Sequence, residues 1–498
     1  MNITVEQGNL LENSADTIVV NLFQGVTTPG GATGAVDRAL DGAISDLIAG
    51  GDFSGKAGEI AVLYPRSAIN ARRVLIAGLG KQDVFDLEGV RQAAATAVKR
   101  ARDLKADHVA TIVHGAGIAG LPVAAAAQST AEGTLLALHR YPAPKQTKEE
   151  EHDIESLSII EFDADKISAI EEGVNVAKAL AAGVTLARDL VNMPANQATP
   201  TYMAETAQAI ADEHGIESFV GGRKWARKQN MGAFLAVAKG AGEKPKFIVL
   251  EHNGDKPEMD TIILVGKGIT FDTGGISLKP VAGMGAMKGD MGGAAAVLGA
   301  MKVIADLDLP LHVVGITPCT ENMPDADAYR PADVITAGNG KTIEIISTDA
   351  EGRMILADAL VYAQRYDPDA VIDLATLTGS CVVALGLGVA AGLFTNETPL
   401  GDKLVAAGES TCERLWPLPL WDEYRKKINT DVADMKNSGG RMGGVGTSAV
   451  FLREFTDYVW AHLDIAGVAM QEKAKKPYSQ RGATGFGVRL LVEMLRNW

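Results

Sequence analysis

Two α/β domains, the second built on a mainly parallel central sheet, are what this 498-residue sequence predicts. Three observations carry that expectation. Apolar, β-branched runs alternate with helical patterns between residues 17 and 113; a Pro-rich and then charged stretch, Pro142 to Glu151, breaks the rhythm; and beyond it strand, polar loop and helix recur in fixed order. That recurrence implies parallel strands joined by helical crossovers, with ligands bound beyond the strands' carboxyl ends.

In the first part, residues 17–23, 60–64, 73–77 and 108–113 read as strands and residues 87–104 as a helix. Gly78-Leu-Gly80 follows a strand but lacks the third glycine of a dinucleotide fingerprint, and no Gly-Lys-Ser/Thr loop occurs, so nucleotide cofactors are not expected. The domains divide as 1–165, a linking helix at 166–190, and 191–498. In the last of these, Thr261 to Gly266, Thr342 to Ile346 and Ala370 to Leu374 read as strands. Residues 292–305 and 354–365 read as helices, and Ala375 to Ser380 as a glycine-bearing turn.

Charged residues gather where these apolar runs end. Lys267, Asp272 and Lys279 lie in one loop, Asp290 in a second, and Asp349, Glu351 and Arg353 in a third. Taken singly, Asp290 reads as a cap for the following helix, Lys267 as a surface lysine and Arg353 as an ion-pair partner. Together they read as a metal site, because several anionic oxygens offset the cost of dehydrating a divalent cation. The eight histidines form no His-Glu-x-x-His pair, which argues against a zincin site. His462 reads as a satisfied core residue.

Lys267-Gly-Ile-Thr-Phe-Asp-Thr-Gly-Gly-Ile-Ser-Leu-Lys279 and Ser347-Thr-Asp-Ala-Glu-Gly-Arg353 resemble the signature stretches of the leucyl aminopeptidases, a family of two-metal peptidases. Arg188 to Pro194, Glu321 to Pro324, Ala375 to Gly379 and Trp460 to Gly467 are similar to further family motifs in the same order. The resemblance spans roughly residues 185 to 498. Ser347 and Met354 depart from it, standing where the family has Asn and Leu, which bears on substrate contacts more than on metal binding.

The resemblance implies release of amino-terminal residues from peptides, leucine and other apolar residues preferred, by a metal-bridging hydroxide. It makes Asp272 and Glu351 ligands shared by two divalent cations, with Asp349 completing one site and Lys267 and Asp290 the other. A lysine ligates only as the neutral amine, a form that a nearby dication favours. Lys279 would stabilise the oxyanion and Arg353 would hold a bicarbonate acting as general base, while Met287, Thr376, Leu377 and Gly379 would line the substrate pocket. Manganese or zinc are the leading metals. The resemblance further implies a macro-like first domain, a catalytic second domain and a homohexamer.

Composition fits these expectations. Lys+Arg 47 against Asp+Glu 62 gives a net charge of -15, which opposes DNA binding as a second role. The densest basic stretch, Arg223 to Lys228, reads as an exposed helix face. Three scattered cysteines argue against a disulfide framework. An amino terminus with neither a basic start nor an apolar core, and no membrane span, point to the cytoplasm. Two rivals remain open: a two-metal phosphoesterase, and a DNA-binding or architectural oligomer with a secondary metal site.

Overall fold

The computed structural model describes residues 1–116, 120–146 and 152–498. The charged end of the expected domain boundary, Lys148 to Glu151, lies outside the described residues. The chain forms two compact units, Met1–Ala181 with Ala474–Gln480, and Ala182–Lys473 with Arg481–Trp498. The divide falls inside the helix Ile167–Asn192.

The first unit is a six-stranded sheet of β1 (Asn2–Gln7), β2 (Thr17–Phe23), β3 (Ile60–Leu63), β4 (Arg73–Gly80), β5 (His108–Thr111) and β6 (Ser156–Glu161), in the order β1-β6-β5-β2-β4-β3. All pairings are parallel except that of β3 with β4. The helix Leu87–Asp103 starts where Asp86 accepts a bond from the Gly89 N–H at 2.9 Å. Its Val90, Ala94, Ala97, Val98 and Ala101 are buried, and each fully buried valine contributes about 1.5–3 kcal/mol.

Glu88, in the first turn of that helix, meets Arg91 Nη1 at 2.6 Å, Lys476 Nζ at 3.1 Å and the Tyr478 hydroxyl at 2.8 Å. Burial alone would raise its carboxyl, but the Arg91 and Lys476 charges outweigh burial and hold it at about 2. Because the folded carboxyl binds protons more weakly than the unfolded one, its contribution is present above pH 4.5 and lost as pH falls toward 2. Urea unfolding at pH 5 and pH 3 is therefore expected to show a smaller loss of stability in Glu88→Gln than in the parent; an equal loss would remove Glu88 from the acid response.

The second unit contains β7 (Glu217–Gly221), β8 (Lys246–His252), β9 (Thr261–Gly266), β10 (Gly268–Asp272), β11 (His312–Asn322), β12 (Val334–Thr336), β13 (Thr342–Glu344), β14 (Ala370–Ala375), β15 (Ala391–Thr395), β16 (Leu415–Pro417), β17 (Met435–Lys436) and β18 (Trp460–Asp464). Its main sheet runs β16-β15-β18-β14-β9-β11-β8-β7, with β10 beside β11. The centre, β18-β14-β9-β11, is parallel, and β8 and β15 add antiparallel flanks.

One expectation needs correction. The strand predicted at 342–346 stops at Glu344 and lies in a separate small sheet, β12-β13-β17. The Ile346 N–H donates to the Asn437 side chain at 2.8 Å, so the strand pattern ends there. The helix after it runs Glu351–Ala363, starting three residues before the predicted Met354. Met354, Ile355, Leu356, Ala359 and Leu360 are buried in one core with Phe247, Phe451 and Trp460. Met354, one of the two departures, thus packs in the interior.

His462 also lies in the interior, its Nδ1 2.6 Å from Asp373 Oδ1, while Trp460 Nε1 donates to Asp373 Oδ2 at 2.7 Å. Arg223–Lys228 forms a short helix with Ala226 buried and Lys224, Arg227 and Lys228 exposed. Among the described residues no helix is long and apolar enough to cross a membrane.

Candidate metal centre

The predicted charged residues converge in the second unit. Asp272 ends β10, whose register with β11 shifts between Ile269 and Asp272, leaving Asp272 opposite Asn322. The chain then turns through Gly274 and Gly275 at φ 88° and 65°, a left-handed path that favours glycine. Lys267 separates β9 from β10, and Asp290 follows the short 3-10 turn Met284–Gly289. Glu351 is the first residue of its helix, where unpaired N–H groups favour a carboxylate. Gly352 beside it leaves room for the Lys267 side chain, since a Cβ there would lie 2.6 Å from Lys267 Cε and displace it.

Oxygens of Asp272, Asp290 and Glu351 lie within 4.8 Å of one another, and all three residues are buried. Lys267 Nζ stands 2.8 Å from Asp290 Oδ2, 2.9 Å from Glu351 Oε1 and 3.1 Å from the Thr376 carbonyl. Asp349 is outside this trio. Its carboxylate pairs with Lys279 Nζ, which also reaches Asp272 Oδ2 at 2.8 Å.

The electrostatics suit a dication. Burial, then the nearby Glu351 charge, push the Asp272 carboxyl up to about 6, and burial raises Asp290 well above the ordinary range. Burial would raise Glu351 too, but Lys267 and Lys279 hold it below the usual value. Lys267 keeps its proton despite burial because Asp290 and Glu351 flank it, so ligation by its amine requires an incoming cation to displace that proton. Asp272 and Asp290, which burial and then neighbouring negative charge keep from ionising, form with Glu351 a donor set short of positive charge, the deficit a metal supplies.

Arg353 is buried, and burial lowers its guanidinium to about 10. Its Nη1 donates to the Asn437 carbonyl at 2.9 Å, and among the described residues its Nε has no hydrogen-bond partner, leaving a donor for an anion. Of the expected pocket residues, Thr376 donates to Asp290 Oδ1 at 2.7 Å and Leu377 packs half-buried against the core. Met287 is half-buried on the 3-10 turn. A Cβ at Gly379 would meet nothing within 4 Å. Ser347, the second departure, accepts the Asp349 N–H through Oγ at 3.2 Å. Asp290 does not cap the helix that follows it: the Gly292–Asp306 helix has Met291 at its N-terminal cap position, with no side-chain cap bond.

Three residues that sequence reasoning did not single out organise the site. Asp464, fully buried, accepts from the N–H groups of Leu377 and Ala466 at 3.2 Å and from Thr378 Oγ1 at 2.7 Å, shaping the turn that carries Thr376. Asn437 binds the Ile346 N–H and the Ser347 carbonyl through its amide and Arg353 through its own carbonyl. Asn322 bonds to the Asp272 carboxylate. Asn322 and Asp464 sit inside motifs quoted above, and the available signal was a polar residue closing a buried strand.

A buried acid cluster beyond the ends of parallel strands in a two-unit α/β chain is the kind of site that a metal-dependent hydrolase uses. The chain belongs to the cytosol aminopeptidase family: residues 185–492 match its catalytic domain and residues 19–148 its N-terminal domain. It is 45% identical over 501 residues to a probable cytosol aminopeptidase of Roseiflexus castenholzii, covering 100% of this chain and 99% of that protein. Against the probable cytosol aminopeptidase of Methylobacillus flagellatus the identity is 43%, with 100% and 99% covered. Among solved structures, a tomato leucine aminopeptidase mutant superposes with a TM-score of 0.88 at 34% identity, covering 100% of this chain and 97% of that one. The bottromycin maturation enzyme BotP in complex with Mn gives 0.84 at 35%, with 97% and 99% covered. This chain is therefore a metal-dependent aminopeptidase acting on peptides, with an N-terminal family domain preceding the catalytic one.

Proposed function

We propose that the enzyme removes leucine and similar apolar residues from peptide amino termini with two divalent cations held by Lys267, Asp272, Asp290, Asp349 and Glu351. The observation that carries this is the buried trio Asp272, Asp290 and Glu351 with Lys267 between two of its members and Lys279 at its edge. When bound, the cations supply a water acidified from about 15.7 toward roughly 7 and polarise the scissile carbonyl. Manganese is favoured over zinc by the Mn complex of a structural relative.

The chain's own residues perform the remaining tasks. Lys279, a permanent ammonium in this surrounding, donates to the oxygen of the scissile carbonyl as it gains charge. Arg353 would hold bicarbonate through its Nε, and that anion would serve as the general base that takes the water's proton. Thr376 fixes the Asp290 carboxylate while its neighbours Leu377 and Gly379, with Met287, bound the side-chain pocket; a methionine wall adapts to several apolar shapes. One methylene is worth only ~1–3 kcal/mol, so the preference for leucine is broad.

Residues 191–498 carry the chemistry, 166–190 link, and 1–165 form a macro-like domain that serves assembly. A cytoplasmic homohexamer is the proposed form, for which exposed Val383, Leu387, Val389, Trp416 and Trp421 offer apolar surface to bury between copies.

Hydrolysis of leucine anilide and of its N-acetylated form, before and after chelation and with Mn2+ restored, tests the reading beside a phosphoester control. Cleavage of the free amine alone, lost with chelator and regained with metal, is expected. Equal cleavage of both anilides, or turnover of the phosphoester instead, sinks it.

A further inference from the structure

We infer that Asn322 is a positioning residue that sets Asp272 and the loop before Asp349 at the spacing the cations require, an inference that rests on the metal-site reading above. Asn322 is 1% exposed and ends β11 directly opposite Asp272 on β10. Its side-chain Nδ2 donates to Asp272 Oδ1 at 2.8 Å and to the Thr348 carbonyl at 3.0 Å. Both partners are pure acceptors, so the amide orientation is fixed by chemistry: the NH2 group faces them.

The opposite end of the amide strengthens the case. Asn322 Oδ1 is buried and among the described residues has no hydrogen-bond partner, a state that ordinary packing disfavours. Retaining it is understandable where a single group must donate twice, once to each ligand loop. An aspartate at this position would offer no donor, and a serine would offer one. The Asn322 backbone carbonyl adds to the same junction, accepting from Thr273 N at 3.0 Å and Thr273 Oγ1 at 2.8 Å.

One contact supplies an internal control. The buried Tyr329 hydroxyl also donates to the Thr348 carbonyl, at 2.9 Å, so this oxygen has two donors while Asp272 Oδ1 receives Asn322 and the Gly274 N–H. Tyr329→Phe removes a bond to the second loop alone, whereas changing Asn322 frees the Asp272 carboxylate as well.

The experiment measures the Mn2+ dissociation constant by calorimetry on metal-stripped full-length protein, with thermal unfolding of the same samples in chelator. Asn322→Ala and Asn322→Leu are expected to weaken Mn2+ binding by about 10–100-fold, the usual effect of losing a group that orients a metal ligand. Tyr329→Phe is expected to weaken it by less than ~10-fold on the same scale. A purely structural role would lower the unfolding temperature and leave the dissociation constant of the folded protein unchanged, and that result overturns the inference. So does an equal weakening in Tyr329→Phe. Should Asn322→Ala fail to fold, Asn322→Leu keeps the side-chain volume and carries the same reading. A wild-type chain that takes up no Mn2+ overturns the metal centre itself; a wild-type chain that binds, with Asn322 variants that bind as tightly, overturns only the role of Asn322.

Discussion

Glu351→Gln is expected to reduce kcat/KM by about 10³-fold or more and to lower the amount of metal that copurifies. Lewis-acid stabilisation of several kcal/mol is at stake, and each ~1.4 kcal/mol is tenfold in rate. Glutamine preserves the shape at the helix start, so the fold is retained. It removes the charge that faces Lys267 at 2.9 Å and that keeps Asp272 from ionising freely. Metal analysis beside steady-state kinetics checks this. Parental activity with unchanged metal content would show that Glu351 holds neither cation.

Lys279→Met is expected to act differently, lowering kcat by about 10²–10³-fold with KM changed only a few-fold and metal content intact. Methionine keeps the unbranched stem and deletes the ammonium that reaches Asp272 Oδ2 at 2.8 Å and the Asp349 carboxylate. The split between kcat and KM is the informative part. A raised KM with kcat untouched would make Lys279 a group that binds substrate and transition state alike. Loss of metal would instead make it a support for Asp272.

The residues that bring charge to the site were legible because they interrupt apolar runs: Lys267 follows the aliphatic and β-branched run Thr261 to Val265 after a single glycine, and Glu351 opens a helix buried along most of its length. Asp290 shows the limit of local reading. A helix follows it, yet its carboxylate turns to Lys267 and Thr376, partners remote in sequence that decide the outcome. Neutral amides carry still less signal. Asn437 lies in Lys436-Asn-Ser-Gly-Gly, indistinguishable from an ordinary turn, and only folding brings it against Ile346, Ser347 and Arg353. The small sheet β12-β13-β17 was illegible for a similar reason, since Thr342 to Glu344 has the same alternation whether it joins a large sheet or a small one.

That small sheet leaves the carboxylates on two separate scaffolds: Asp272 is anchored to the main sheet, while Asp349 and Glu351 follow a strand that belongs elsewhere. Cations gripping both sides would act as a cross-brace, so loading stabilises the native state by mass action. Amide exchange around residues 342–349 should then slow on adding Mn2+, giving the enzyme a rigidity that tracks its metal supply.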